Sequence, residues 1–193
     1  MVGLQIASIY SLLPFYHGEH GEHFEKPALN LLKSAWVALH QKDLQRLQGK
    51  QDNDESHAII ENIRQRAQSR LGVAITQVLL AVHPETQKIL LRKHPEVFPN
   101  LCLCGMDFHL AGIDSAVRER LFVTNDLDGA RPNATGMQLQ GANLEGANLV
   151  GAITTSHQLT WTEETYQLFQ ERGELFYIQC LIKKRQKHYI YVE

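Results

Sequence analysis

Leu139-Gln140-Gly141-Ala142-Asn143-Leu144-Glu145-Gly146-Ala147-Asn148-Leu149-Val150-Gly151-Ala152 repeats with a period of five. Leucine returns at 139, 144 and 149, alanine at 142, 147 and 152, and glycine at 141, 146 and 151. A helix does not account for this, because its period is about 3.6 residues, and a flat strand does not, because an odd repeat sends equivalent residues to alternating faces. A chain that turns a corner every five residues does. Each leucine then points to a common axis, each alanine fills the tight space beside it, and Asn143, Glu145 and Asn148 face water as the polar positions bordering any contact face.

Ala142-Asn143-Leu144-Glu145-Gly146 and Ala147-Asn148-Leu149-Val150-Gly151 match the motif of the pentapeptide-repeat family, which this segment resembles. The resemblance implies a right-handed quadrilateral β-helix. Weaker echoes precede it in Leu101-Cys102-Leu103-Cys104-Gly105, Met106-Asp107-Phe108-His109-Leu110 and Ala111-Gly112-Ile113-Asp114-Ser115, centred on Leu103, Phe108 and Ile113. The two frames differ by one residue, so a loop within 116–136, rich in turn formers such as Asn125, Asp126, Gly129 and Pro132, is expected to absorb the slip. A stack this short needs support from its flanks.

On the N-terminal side the period changes to that of a helix. From Pro27 onward, Leu29, Leu32, Trp36, Leu39, Leu44 and Leu47 recur at helical spacing, and Ile59, Ile60, Ile63, Ala67 and Leu71 do so again after a polar break at 49–54. Residues 73–82 read as a buried helix, with Gly72 ending the preceding one or allowing a close turn, and 84–92 as a further helix closed by His94-Pro95. On the C-terminal side, Thr160 or Thr162 caps an expected helix that Gly173 ends, followed by strands over 175–182 and 189–192 around a basic turn, Lys183-Lys184-Arg185-Gln186-Lys187. The expected fold is mixed α and β. A helical bundle over 1–98 packs on a pentapeptide-repeat β-solenoid over 99–156, and a helix with a β-hairpin occupies 157–193.

Composition bounds the function. The 193 residues are 44% hydrophobic and 21% charged, ordinary for a globular protein able to bury its own core. A formal charge of −2 offers no general attraction for nucleic acid, and the short basic run at 183–188 suits a solvated turn. Residues 2–16 are apolar, but they lack a basic start, carry Gln5 and Ser8, and show no small-residue cleavage site before Pro14. No run approaches the roughly 20 apolar residues of a membrane span, so the expectation is a soluble, cytoplasmic protein.

Among chemistry-bearing residues, His17-Gly18-Glu19-His20-Gly21-Glu22-His23-Phe24-Glu25 stands out within a total of ten histidines. Histidine and glutamate suit zinc, and His17, His20 and His23 are the candidate ligands. Gly18 and Gly21 oppose the helix that would align them, so a polar loop is the plainer assignment. Cys102, Cys104 and Cys180 fit neither a disulfide framework nor zinc-knuckle spacing, and behave as small buried hydrophobes. A cysteine–histidine mechanism would need one of them beside His83, His94, His109 or His157. Asp126-Leu127-Asp128-Gly129 lacks the remaining ligands of a calcium loop. No catalytic residue is assigned. The resemblance implies a non-enzymatic, bacterial, protein-binding module, since the family supplies adaptors, effectors delivered into host cells, and DNA mimics that bind topoisomerases. The last require a long acidic rod, which this chain is not. The alternative is a metal-binding protein or enzyme using the 17–25 cluster or a Cys/His pair.

Overall fold

A 24-residue helix, α3 (Glu25–Gln48), organises the structure, a computed structural model that describes residues 2–48 and 53–121. Leu29, Leu32 and Trp36, spaced three and four apart, are all fully buried on its inner face, and His40 and Asp43 continue the same stripe. Against it pack α2 (Leu13–His17), α4 (Asn53–Ala67) and α5 (Arg70–Leu79), while α1 (Val2–Tyr10) packs on α5. Ile59, Ile63 and Ala67 of α4 and Ala74, Ile75, Val78 and Leu79 of α5 close the core.

Two glycines make the close approaches possible. Gly72 lies inside the first turn of α5, and the Ser69 hydroxyl caps that turn by accepting from Gly72 N at 3.2 Å. A Cβ at Gly72 would overlap the Ala67 carbonyl oxygen at the end of α4. The residue therefore permits the sharp corner between the two helices and does not end a helix. At Gly105, φ is +69° and a Cβ would lie 2.7 Å from Ile63 Cγ2.

The expected helix over 84–92 is not formed. Val82 and Ile89 instead make an isolated antiparallel bridge, with His83 N donating to Lys88 O at 2.8 Å. The His83 ring holds the intervening turn, its Nδ1 accepting from Glu85 N and Thr86 N at 3.2 and 3.3 Å. Short 3₁₀ turns follow at Leu90–Lys93 and Pro95–Val97. Pro84 lacks an N–H and the side chain of His83 competes for the next two, so the local bonding favours a turn over a helix.

The β-helix expectation is overturned. The described residues form helices and turns, with no strand or sheet among them. Over 101–115 the bulky residues do go inward, Leu103 and Phe108 fully buried and Ile113 partly, but the segment closes on itself by turns. Met106 N donates to Leu103 O at 3.1 Å and Ile113 N to Leu110 O at 3.0 Å. Its neighbours include helices in place of stacked coils. Gly105 lies against Ile63, and Gln77 Nε2 of α5 donates to Ala111 O at 2.7 Å while its Oε1 accepts from Tyr10 of α1. The segment then enters α6 (Ser115–Arg120), capped by Asp114 Oδ1 accepting from Ala116 N at 2.8 Å. Spacing by five places apolar groups inward in either arrangement, so it could not select the solenoid. The strong repeat at 139–152, most of the 116–136 loop, and the helix and hairpin expected over 157–193 lie outside the described residues.

Gly72→Ala, which ordinarily favours a helix, is expected here to destabilise the protein by roughly 2–4 kcal/mol, because the methyl group meets backbone that cannot move aside. Urea denaturation followed by circular dichroism measures it.

Candidate functional site

The histidine-rich segment is shaped by glycine at both of its bends. Gly18 adopts φ +86° and ends α2, Gly18 N donating to Phe15 O at 3.2 Å and Glu19 N to Pro14 O at 3.0 Å. Gly21 at φ +111° then opens a 3₁₀ turn, Glu22–Phe24, that runs into α3. The three candidate ligands diverge along this path. His17 Nδ1 lies 3.2 Å from Glu19 Oε1, and its ring is 5.6 Å from that of His83. His20 rests on Phe15 at 4.4 Å between ring centroids, and His23 on Phe24 at 4.1 Å. Among the described residues no three His, Cys, Asp or Glu side chains are placed to hold a metal ion.

The residue of this segment that does enter the interior is Glu25. As the first residue of α3 its carboxylate is favoured by the helix dipole. It is 7% exposed. Lys93 Nζ donates to its Oε1 at 3.0 Å, and His94 Nε2 stands 3.6 Å from its Oε2, too far for a hydrogen bond. Beyond His94, Glu96 Oε1 is 3.9 Å from Nδ1 and 2.9 Å from Lys26 Nζ. The start of α3 is thus tied to the 3₁₀ turns at Leu90–Lys93 and Pro95–Val97 by charges of alternating sign. A Cβ at Gly18 would lie 2.5 Å from Glu25 Oε1, so glycine there also makes room for the carboxylate.

The electrostatics follow from burial. Desolvation is the largest influence on His94 and lowers its pKa against the pull of Glu96 and Glu25, with Lys26 and Lys93 adding to the lowering. The hydrogen bond from Lys26 is foremost in holding the Glu96 carboxyl below its usual range. Tyr16 is fully buried, donates to Leu79 O at 3.4 Å, and has its phenol pushed well above 10, first by burial and then by the negative charge of Glu25. A neutral imidazole beside a carboxylate is half of an acid–base device. With Lys93 occupying the other oxygen, the present arrangement acts as a strut.

Two of the three cysteines lie among the described residues. Cys102 and Cys104 are buried and in no disulfide. A hydrogen bond with Cys104 is foremost in lowering the Cys102 thiol pKa, and burial opposes it. Cys180 and His157 lie outside the described residues, as do Asn143, Glu145 and Asn148.

One buried polar group escaped the sequence reading. Trp36, His40 and Asp43 share the inner stripe of α3, and the polar members were hidden there by their apolar neighbours. Helical spacing from Leu29 and Leu32 to positions 36, 40 and 43 would have found them. No described helix is long and apolar enough to cross a membrane. Compared with protein-family models, with curated proteins and with solved structures, the chain has no significant match.

Glu25→Gln is expected to cost roughly 1–3 kcal/mol, because Lys93 keeps its charge and is left with a neutral amide oxygen in place of a carboxylate. Combining it with Lys93→Met should give a loss smaller than the sum by at least about 0.5 kcal/mol in a urea-denaturation cycle. Tyr16 supplies a separate test. Its folded pKa is raised, so its contribution is complete below about pH 10 and falls as pH rises beyond that. Tyr16→Phe should flatten the alkaline limb of the stability profile.

Proposed function

We propose that the chain is a non-enzymatic protein-interaction module that uses the outward face of α3. Phe24, Pro27, Leu31, Ser34 and Ala38 recur at spacings of three and four, and all are exposed. From Pro27 to Ala38 they form an uncharged stripe about 16 Å long at 1.5 Å per residue, which Phe24 extends from the turn just before the helix. Leu31 is 58% exposed and Phe24 40%, and Val37, 42% exposed, flanks the stripe. The solvent face of a stable helix is ordinarily charged or polar. Single exposed apolar residues need no explanation, but an aligned row of them suits a partner. The occupant that fits is an amphipathic segment of another protein, laid along α3 with its apolar side down.

The resemblance of 139–152 to pentapeptide repeats supports the same class of role, an adaptor or an effector-like protein working in a cytoplasm, its own or that of a host. Asn143, Glu145 and Asn148 would then border a second contact face. The competing metal or enzyme reading, with zinc on His17, His20 and His23, draws no support from rings that stack separately on Phe15 and Phe24 and beside His83.

A photo-cross-linking residue at Ser34, compared with one at the exposed Glu61 of α4, tests the reading in cells expressing the full chain. The expected result is a discrete adduct from position 34 alone, reduced at least about tenfold by Leu31→Glu, a surface change that should alter stability by no more than about 0.5 kcal/mol. Adducts equal from both positions, or indifferent to Leu31→Glu, would sink it. An adduct of twice the chain mass would identify the partner as a second copy.

A further inference from the structure

His40 is fully buried on α3, and among the described residues neither ring nitrogen has a hydrogen-bond partner. Trp36, one turn earlier, is in the same condition, its Nε1 buried with no partner among the described residues, and its ring meets that of His40 edge-on at 4.7 Å. One turn later, Asp43 is 2% exposed and lies 3.0 Å from Arg66 Nε of α4, an ion pair out of hydrogen-bond alignment. Arg46 reaches the same carboxylate at 4.0 Å and Glu55 of α4 at 3.7 Å. An imidazole in this position can be tolerated only without charge. A proton on it would demand a second buried donor bond and would face the guanidinium of Arg66, while Asp43, the nearby carboxylate, is already shared between two arginines.

We propose that His40 is an acid-operated latch on the seam between α3 and α4, which stays closed while the ring is neutral and opens when it takes up a proton. Among the described residues, the charged groups that reach the ring are Arg66 of α4, which disfavours protonation, and Asp43 of α3, which favours it less strongly than burial opposes it. α5 carries only Arg70, exposed in its first turn. α2 and the 3₁₀ turn before α3 carry Tyr16, His17, Glu22 and His23, but they meet α3 at its start, about 22 Å from His40 at 1.5 Å per residue.

The direction follows from linkage. Burial first, then Arg66, lowers the His40 pKa from 6.5 to about 4 in the closed seam. Once the seam opens and water reaches the ring, the value returns toward 6.5, so the open form binds the proton and the closed form does not. Stability of the seam is complete above pH 6.5 and falls as pH drops toward 4. Between pH 7 and pH 5 the opening constant should rise about 20-fold. His94, lowered as well, acts at the opposite end of α3 and remains in place when His40 is changed.

Amide hydrogen exchange of the full chain at pH 7 and pH 5, corrected for intrinsic rates, tests the latch. In the wild-type protein, amides over 36–47 and 58–67 should lose about 20-fold in protection, with α1 and the far half of α5 changing less. In His40→Phe the same amides should change by less than about threefold. An equal loss in the variant, or a uniform loss across all helices, would overturn the proposal. If His40→Phe does not fold, the ring-nitrogen resonances of wild-type His40 decide instead. Titration near pH 6.5 with α3 and α4 still protected would defeat the latch, and a ring that gains its proton only in step with loss of protection would support it.

Discussion

The buried stripe of α3 is the constraint on which the rest of the described structure depends. Leu29, Leu32 and Trp36 supply surfaces to α2, α4 and α5 at once, and α1 is held through α5. Removing each such side chain from water contributes about 1.5–3 kcal/mol, more than any exposed ion pair in the molecule can offer. The remaining elements adjust to this axis. Gly72 lets α5 turn back against α4, and Gly105 lets the 101–108 turns approach Ile63.

The two ends of that stripe treat polarity in opposite ways. At the start, Glu25 is buried with a lysine, a nearby histidine and a helix N-terminus around it, so its carboxylate has partners. Toward the other end, His40 is buried with neither nitrogen satisfied among the described residues, so its charge is disfavoured. The first arrangement joins α3 to the 3₁₀ turns near His94. The second leaves the α3/α4 seam dependent on the protonation of a single ring. The outer face, meanwhile, carries Leu31 and Val37 in the open. One helix therefore serves as core, strut and exposed surface, each on a different arc.

The helical spacing of Leu29, Leu32 and Trp36 was legible because a period of 3.6 has one structural meaning. The spacing of Leu103, Phe108 and Ile113 by five was not, since turns laid against helices bury the same residues as a coil does. Over 84–92, side-chain competition from His83 and the missing N–H of Pro84 outweighed apolar content. For the 17–25 segment, the glycines correctly argued against a helix. They did not foretell that His20 and His23 would stack on Phe15 and Phe24, because those contacts depend on where α2 ends relative to α3.

The sequence by itself determined which residues go inside and where the long helices run, because hydrophobic spacing and helix-stopping residues act over a few neighbouring positions. Only the tertiary structure decided that Glu25 meets Lys93 and His94, that His40 is enclosed near Arg66, and that 101–115 lies in turns against α4 and α5. Those outcomes join residues far apart in the chain. Their energies depend on burial and on charges brought close by packing, quantities that no local pattern of amino acids encodes.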